Sequence, residues 1–240
     1  MSIFWIKIIA MVTMLIDHIG SFTPFEGWEY WRMIGRVSFP LYAFMLAQGF
    51  LHTKSRWKYL LRMAVLAVLT QPVYTYCFYG KWFKWDELNI LFTLSAGLGA
   101  MWLLELGKRA IQKRRGRGAW AGLLLSLSAG AVVVLADLAG ADYGWQGMLL
   151  MLAFYVTANA KWAWCPIVML FAYRYQLLTG AWDEPVYQRG IFAAVSFIPL
   201  VFYNGLPGPR PQNKWLAGIV KYSFYLFYPL HLIILAMIFR

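Results

Sequence analysis

The 240-residue chain is 61% hydrophobic and only 13% charged, whereas an ordinary soluble domain is about 45–50% apolar and about 25% charged. This balance excludes a soluble globular protein and predicts an all-α fold, a polytopic transmembrane helical bundle. The formal net charge of +12 matches the Lys and Arg that accumulate in cytoplasmic loops of membrane proteins, so it does not call for a nucleic-acid partner.

Apolar stretches between charged or Gly/Pro-marked breaks predict about nine spans, with a range of eight to ten, in a single integral-membrane domain over residues 1–240. The spans cover residues 3–22, 33–51, 59–79, 88–107, 119–139, 144–160, 162–179, 190–203 and 217–239. The sixth and eighth are short, so each is a tilted, interfacial or broken helix. The first lacks a basic leader, and we expect it to be a retained helix.

Two loops rich in Lys and Arg orient the chain. They follow the second and fourth spans, and the positive-inside rule places both in the cytoplasm. Their cations are Lys54, Arg56, Lys58 and Arg62, then Lys108, Arg109, Lys113, Arg114, Arg115 and Arg117. Counting outward also places Lys161, Arg210, Lys214 and Lys221 inside, and Glu26, Glu29, Asp86, Glu87, Asp142, Asp183 and Glu184 outside. The N-terminus is therefore predicted to lie inside.

Ionisable groups within the apolar runs mark the candidate site. Each costs roughly 3 kcal/mol or more in the membrane unless it is paired or lines a hydrated cavity. Those singled out are Asp17, His18, Arg36 and His231, joined from the same side by Asn89 and Tyr143. All of them are predicted to lie in the outer half of the membrane or at its outer surface.

Helical geometry limits which of these groups can meet. Asp17 and His18 are adjacent, so they project about 100° apart and their partners must come from other helices. An ion pair of Asp17 with Arg36 would satisfy both charges and leave His18 facing a cavity. The last helix carries a polar stripe at i, i+3 spacing, formed by Tyr225, Tyr228 and His231.

Both a functional and a structural interpretation stay open for these residues. Either histidine can be a hydrogen-bonded structural group, and the ion pair can be purely architectural. His52 ends the second span, where an interfacial structural role is favoured. The chain has three histidines and no Cys cluster, so we expect no metal. A histidine in a low-dielectric cavity, supported by Arg, Asp, Asn and Tyr, suits a general base.

Several motifs in chain order resemble the TraX family. They are Ile6-Lys7, Met14-Leu15-Ile16-Asp17-His18-Ile19-Gly20, Gly35-Arg36-Val37-Ser38-Phe39-Pro40 with Gly49-Phe50, Asn89-Ile90-Leu91-Phe92-Thr93-Leu94, Asp142-Tyr143-Gly144, Tyr203-Asn204-Gly205 and Phe224-Tyr225-Leu226-Phe227-Tyr228-Pro229-Leu230-His231. The resemblance runs from the first helix to the last. The chain departs from the family pattern in the proline-rich stretch from Leu206 to Asn213.

TraX proteins are multi-pass acetyltransferases of the bacterial inner membrane, named for N-terminal acetylation of conjugative pilin. The resemblance implies acetyl-CoA as the donor, and pilin, an envelope glycan or a small molecule as the acceptor. It places the transferring histidine at His18, with Asp17, Arg36, Asn89 and His231 around it. Cytoplasmic cations would attract coenzyme A, so we expect donor binding at Lys54, Arg56 and Lys58, with Tyr143, Tyr203, Asn204 and Tyr228.

Two rival functions use the same buried groups. A transporter of small solutes or lipids would use them as a proton relay or a substrate site at membrane depth. A structural or assembly subunit would use them to hold helices together. Neither an internal repeat nor a pair of Gly/Pro-broken helices is evident, which favours the enzyme.

Overall fold

The computed structural model describes residues 1–23, 27–113, 117–209 and 213–239. Its helices are α1 (Ile3–Phe22), α2 (Trp28–Gly35), α3 (Ser38–His52), α4 (Arg56–Tyr79), α5 (Ile90–Lys113), α6 (Arg117–Leu138), α7 (Gly144–Val156), α8 (Lys161–Ala172), α9 (Arg174–Thr179), α10 (Pro185–Ile191), α11 (Phe197–Val201) and α12 (Lys214–Phe239). These ranges contain no β-strand, only an isolated bridge between Leu88 and Ala141. The all-α prediction is confirmed.

Among the described residues, five helices are long and apolar enough to cross a membrane: α1, α4, and the stretches Ile90–Gln112, Gly118–Leu138 and Tyr222–Phe239. Helix α6 exposes large apolar side chains such as Leu124 and Leu135, as a helix facing lipid does. The chain is therefore a polytopic membrane protein. The number of nine spans stays a prediction.

The eighth predicted span is helical but irregular. A 3₁₀ segment, Phe192–Ser196, joins α10 to α11, and the backbone keeps right-handed helical angles at both junctions. The apolar stretch Tyr187–Val201 is shorter than the roughly 20 residues that a membrane crossing needs. Whether this span is tilted, interfacial or broken stays a prediction.

The second predicted span begins later in the structure than in the sequence analysis. Helix α2 ends at Gly35 and α3 begins at Ser38, so Arg36 lies in the turn between them. Pro40 falls in the first turn of α3, where its missing N–H costs no hydrogen bond. Placing Arg36 inside a continuous span was therefore wrong.

The chain packs as two compact units, Met1–Met45 with Thr157–Arg240, and Leu46–Val156. In the first unit, α1 packs against both α2 and α12. A Cβ added at Gly20 would lie 2.8 Å from the Cβ of Trp31, so glycine at this position lets α2 approach α1 closely. The prediction of one domain over the whole chain stays a prediction.

The second unit contains α4 to α7. The Ser55 side chain caps α4 by accepting from the Lys58 amide at 3.4 Å. Helices α5 and α6 cross closely, because a Cβ on Gly107 would lie 2.9 Å from the Gly122 carbonyl oxygen. Such small-residue crossings are typical of membrane helices. The buried core between these helices and α7 consists of Ala100, Ala129, Val133 and Met148.

Some residues used for the predicted topology lie outside the described part of the chain. They are Glu26, Arg114, Arg115 and Arg210, together with the side chains of Lys113, Arg117, Lys214 and Lys221.

Candidate functional site

Two histidines, one from the first helix and one from the last, meet in the first unit. His18 Nδ1 lies 2.6 Å from His231 Nε2. The two ring planes are 2° apart and their centroids are 4.9 Å apart. That separation is close to the N···N distance plus the two ring radii, so the rings lie edge to edge in one plane. A proton on the line between these nitrogens makes a well-aligned hydrogen bond.

The contacts of His231 fix which nitrogen carries each proton. His231 Nδ1 lies 2.6 Å from the Phe227 carbonyl oxygen, and a carbonyl can only accept. Nδ1 of a neutral His231 therefore carries its proton, and Nε2 must accept from His18 Nδ1. The remaining nitrogen of His18, Nε2, then holds the ring's lone pair. This is the arrangement in which an acceptor orients a catalytic histidine.

His231 is buried among aromatic rings, whereas His18 is partly exposed. His231 is 5% exposed and Tyr228 is 7% exposed. The Tyr228 ring centroid lies 6.3 Å from that of His18 and 5.7 Å from that of His231. Low local dielectric strengthens a hydrogen bond and raises the cost of leaving its groups unpaired. Tyr228, predicted to bind donor, thus packs against the pair.

Asp17 forms its ion pair with Arg32. Asp17 Oδ2 accepts from Arg32 Nη1 at 2.9 Å, and Arg32 Nη1 also donates to Ser21 Oγ. The sequence-based pairing with Arg36 was wrong, because Arg36 lies beyond the end of α2 and Arg32, one turn earlier, reaches α1. Arg36 interacts electrostatically with both Asp17 and His18. Sequence reasoning missed Arg32, which lies just before the predicted span.

One oxygen of Asp17 is buried without a hydrogen-bond partner. Oδ2 is occupied by Arg32, whereas Oδ1 has no donor in the part of the chain that the structure describes. Gly35 packs so closely that a Cβ there would overlap the Asp17 side chain. A buried carboxylate oxygen without a donor is costly.

Asn89 lies in the second unit, where its side chain is fully engaged. Its Nδ2 donates to the Ala67 carbonyl at 2.9 Å and to Gln71 Oε1 at 2.8 Å. Its Oδ1 accepts from the Leu91 amide at 3.0 Å, which caps the start of α5. Because both amide hydrogens are used, these contacts favour a structural role for Asn89. Its predicted catalytic role stays a prediction.

Tyr143 lies in a loop that pairs with the Asn89 segment through the bridge of Leu88 and Ala141. Its φ of 60° is in the left-handed region, which non-glycine residues rarely adopt. Asp142 Oδ1 accepts from the Tyr143 amide at 2.9 Å. Backbone strain of this kind clusters at functional sites.

The cationic loop predicted to bind donor also belongs to the second unit. Lys54 and Lys58 are exposed, whereas the Arg56 Nη1 lies 3.4 Å from Glu105 Oε1. Glu105 also accepts from Arg109 Nε at 3.0 Å and from the Tyr155 hydroxyl at 2.5 Å. Sequence reasoning passed over Glu105, although it is an acidic residue inside the fourth predicted span.

Tyr203 and Asn204 lie in the first unit, at the end of α1 that is predicted to be cytoplasmic. Tyr203 is 7% exposed, and its carbonyl accepts from Lys161 Nζ at 2.9 Å. The Asn204 amide donates to the Met1 carbonyl at 2.9 Å. The structure thus separates these two residues along α1 from the histidine pair, which lies near the other end.

Comparisons with known proteins agree on one family. The model of the family described as TraX protein matches residues 2–239. A relative from Dichelobacter nodosus, "Probable fimbrial assembly protein FimC, serogroup H1", is 29% identical over 254 residues, covering 98% of this chain and 94% of the relative. No solved structure matches the chain. Because the family match covers nearly the whole chain and includes both histidines, the protein belongs to the TraX family.

Proposed function

We propose that this protein is a membrane-embedded acetyltransferase of the bacterial inner membrane. It moves an acetyl group from cytoplasmic acetyl-CoA to an amine or hydroxyl acceptor. The observation that carries the proposal is the hydrogen bond between His18 and His231, which leaves the lone pair on His18 Nε2. A histidine with a fixed tautomer and a neutral ring is a suitable general base.

In the proposed reaction, His18 Nε2 takes a proton from the acceptor as its nitrogen or oxygen attacks the thioester carbonyl carbon. The new bond to the acceptor forms, the carbon–sulfur bond breaks, and the proton held by His18 passes to the leaving thiolate. His231 is a positioning residue, because its Nε2 accepts from His18 Nδ1 and stabilises the imidazolium that forms.

The surrounding charges fit this chemistry. Arg32 is paired with Asp17, and both Arg32 and Arg36 act electrostatically on His18. A guanidinium there would stabilise the negative charge that develops on the carbonyl oxygen. Asp17 Oδ1 would accept an N–H or O–H group of the acceptor and hold it beside His18.

The relative from Dichelobacter nodosus supports fimbrial assembly as the setting. Its printed name is that of a fimbrial assembly protein, so the N-terminal amine of a pilin is the first acceptor to test. Like the other acceptors considered, it presents a nucleophile whose proton a general base must remove.

The test uses the purified chain in lipid nanodiscs with acetyl-CoA and a pilin N-terminal peptide. Release of free thiol and the peptide's mass are followed for wild type, H18Q and H52Q. His52 is a matched control, since its Nδ1 bonds the Gln48 carbonyl within its own helix at 2.8 Å. We expect H18Q to lose roughly 10²–10⁴ of the rate, and H52Q to keep it.

Two outcomes would contradict the proposal. One is a full rate of transfer by H18Q. The other is the absence of thiol release with peptide, glycan and small-amine acceptors, while sealed lipid vesicles that carry the same protein move a solute, which would identify a transporter.

A further inference from the structure

Lys7 is a charged residue inside the first apolar helix that the proposed mechanism does not use. Its ammonium lies 4.9 Å from the centroid of the Phe224 ring. No carboxylate forms a salt bridge with it within the described ranges. A lysine in the membrane costs roughly 3 kcal/mol at the centre of a span and is tolerated where it serves a function.

Lys7 and His18 lie on the same face of α1. They are eleven residues apart in one uninterrupted helix, which is close to three full turns and a rise of about 16 Å. Phe224 and His231 follow two-turn spacing on α12 and contact Lys7 and His18, respectively. One face of α12 thus lies beside this face of α1 from the lysine to the histidine.

This separation matches the reach of the donor. About thirteen bonds join the pyrophosphate of coenzyme A to its sulfur, and an extended chain gains roughly 3.5 Å for every three backbone bonds, so the arm spans about 15 Å. With the thioester carbonyl at His18, an extended arm running along α1 brings the pyrophosphate to the level of Lys7. An ammonium is a suitable ligand for such a phosphate.

A cleft opens at the same end of α1. It has a volume of about 570 Å³ and is lined by Met1, Ser2, Trp5, Asn204, Leu206, Pro207, Gly208 and Pro209. Ser2 is only 8% exposed, and its hydroxyl oxygen is buried with no hydrogen-bond partner in the described chain. The N-terminus of a long helix also favours an anion. The cleft therefore offers an unused hydroxyl and a favourable dipole to one ligand.

Phe4 connects the cleft to Lys7. Gly208, in the cleft wall, lies so close to Phe4 that an added Cβ would be 2.6 Å from the Phe4 Cβ. The Phe4 ring in turn contacts the Phe224 ring at a centroid distance of 6.0 Å. Phe224 is the ring over which Lys7 lies. Lys7 is not among the residues that line the cleft, so the cleft and the lysine are neighbours in the first unit with Phe4 between them.

We infer that the cleft and Lys7 together are the binding site for the phosphate-bearing end of the donor, with Lys7 binding the pyrophosphate and Ser2 donating a hydrogen bond beside it. The inference rests on the proposed function and adds the anchor of the donor to it. It also differs from the sequence-based expectation that Lys54, Arg56 and Lys58 bind the donor.

The test compares two donors that differ only in the part that Lys7 would contact. Acetyl-CoA carries the phosphates, whereas acetyl-pantetheine has the same thioester and arm without them. We expect K7Q to raise the KM for acetyl-CoA about tenfold or more while changing kcat little. The KM for acetyl-pantetheine stays the same. K7R should restore most of the affinity, and S2A should raise the KM for acetyl-CoA alone.

Control variants separate this result from misfolding. K81Q removes a lysine from the loop between α4 and α5 and should leave both donors unaffected. If K7Q does not survive purification, K7M keeps an unbranched apolar stem and replaces it. An equal KM change for both donors, or no change for acetyl-CoA, would overturn the inference.

Failure of the proposed function gives a different result. If wild type acetylates nothing with either donor, equilibrium binding of coenzyme A and of pantetheine is measured instead. If wild type binds coenzyme A but not pantetheine, and K7Q weakens the binding of coenzyme A, the phosphate site is supported even without acetyl transfer. Coenzyme A that binds wild type and K7Q equally, or does not bind, would refute it.

Discussion

Replacing His231 with leucine should slow acetyl transfer by changing the tautomer of His18. The variant removes the acceptor that lies 2.6 Å from His18 Nδ1, in a site where His231 is 5% exposed. Leaving a buried N–H without a partner costs about 1–3 kcal/mol. At 1.36 kcal/mol per tenfold, that cost corresponds to a loss of roughly 5- to 150-fold in kcat.

The matched control is H231Q. A glutamine side chain can present an amide oxygen near the position of His231 Nε2, so it keeps an acceptor for His18 while losing the bond to the Phe227 carbonyl. We therefore expect H231Q to retain more of kcat than H231L. Both variants should insert and purify like wild type, which size-exclusion chromatography checks.

The tautomer itself provides a readout that does not depend on activity. The chain has three histidines, so nitrogen NMR of histidine-labelled protein gives three assignable rings, and each single substitution removes one of them. Wild-type His18 should be protonated at Nδ1, and H231L should shift this population. An unchanged His18 tautomer in H231L, or full kcat with wild-type folding, would refute the orienting role of His231.

Three further comparisons test the packing within the two units. R32M should lower Tm more than the double variant D17N/R32M, because the single change leaves the largely buried Asp17 carboxylate without its partner. Removing one partner of a buried ion pair lowers the free energy of unfolding by about 3–5 kcal/mol. Equal Tm values for the two variants would contradict this prediction. G35A should disrupt the site, because the added Cβ would overlap the Asp17 side chain, whereas G99A should be tolerated because nothing lies within 4 Å of an added Cβ. Thermal unfolding of the two variants distinguishes these effects. A stable, active G35A would be evidence against the close packing of Gly35 on Asp17. E105Q should lower Tm by weakening contacts to two arginines and a tyrosine, and a Tm equal to that of wild type would show that these contacts add nothing.

The helical architecture was predictable from composition alone. Long apolar runs such as those of α1, α5 and α6 are required for membrane crossing, and they leave little freedom in their assignment. Shorter or interrupted runs carry less information. The break before Ser38 follows Gly35, whose close fit against Asp17 of α1 appears only when the two helices are packed together.

The sequence predicted which residues form the site better than it predicted the contacts between them. His18 and His231 were singled out because an ionisable group within the membrane is energetically costly and is therefore expected to be paired or functional. The partner of Asp17 was predicted wrongly, because Arg32 and Arg36 are one turn apart and only the end of α2 decides between them. Glu105, an ionisable residue inside an apolar run, was a signal present in the sequence but not used.

The bond between His18 and His231 joins residues 213 positions apart in the chain. A ribosome must therefore have synthesised the chain at least through His231 before the two rings can meet. Until the last helix enters the bilayer, His18 lacks the partner that fixes its tautomer. Contacts between such distant segments form late in folding, so partly synthesised chains should be catalytically silent.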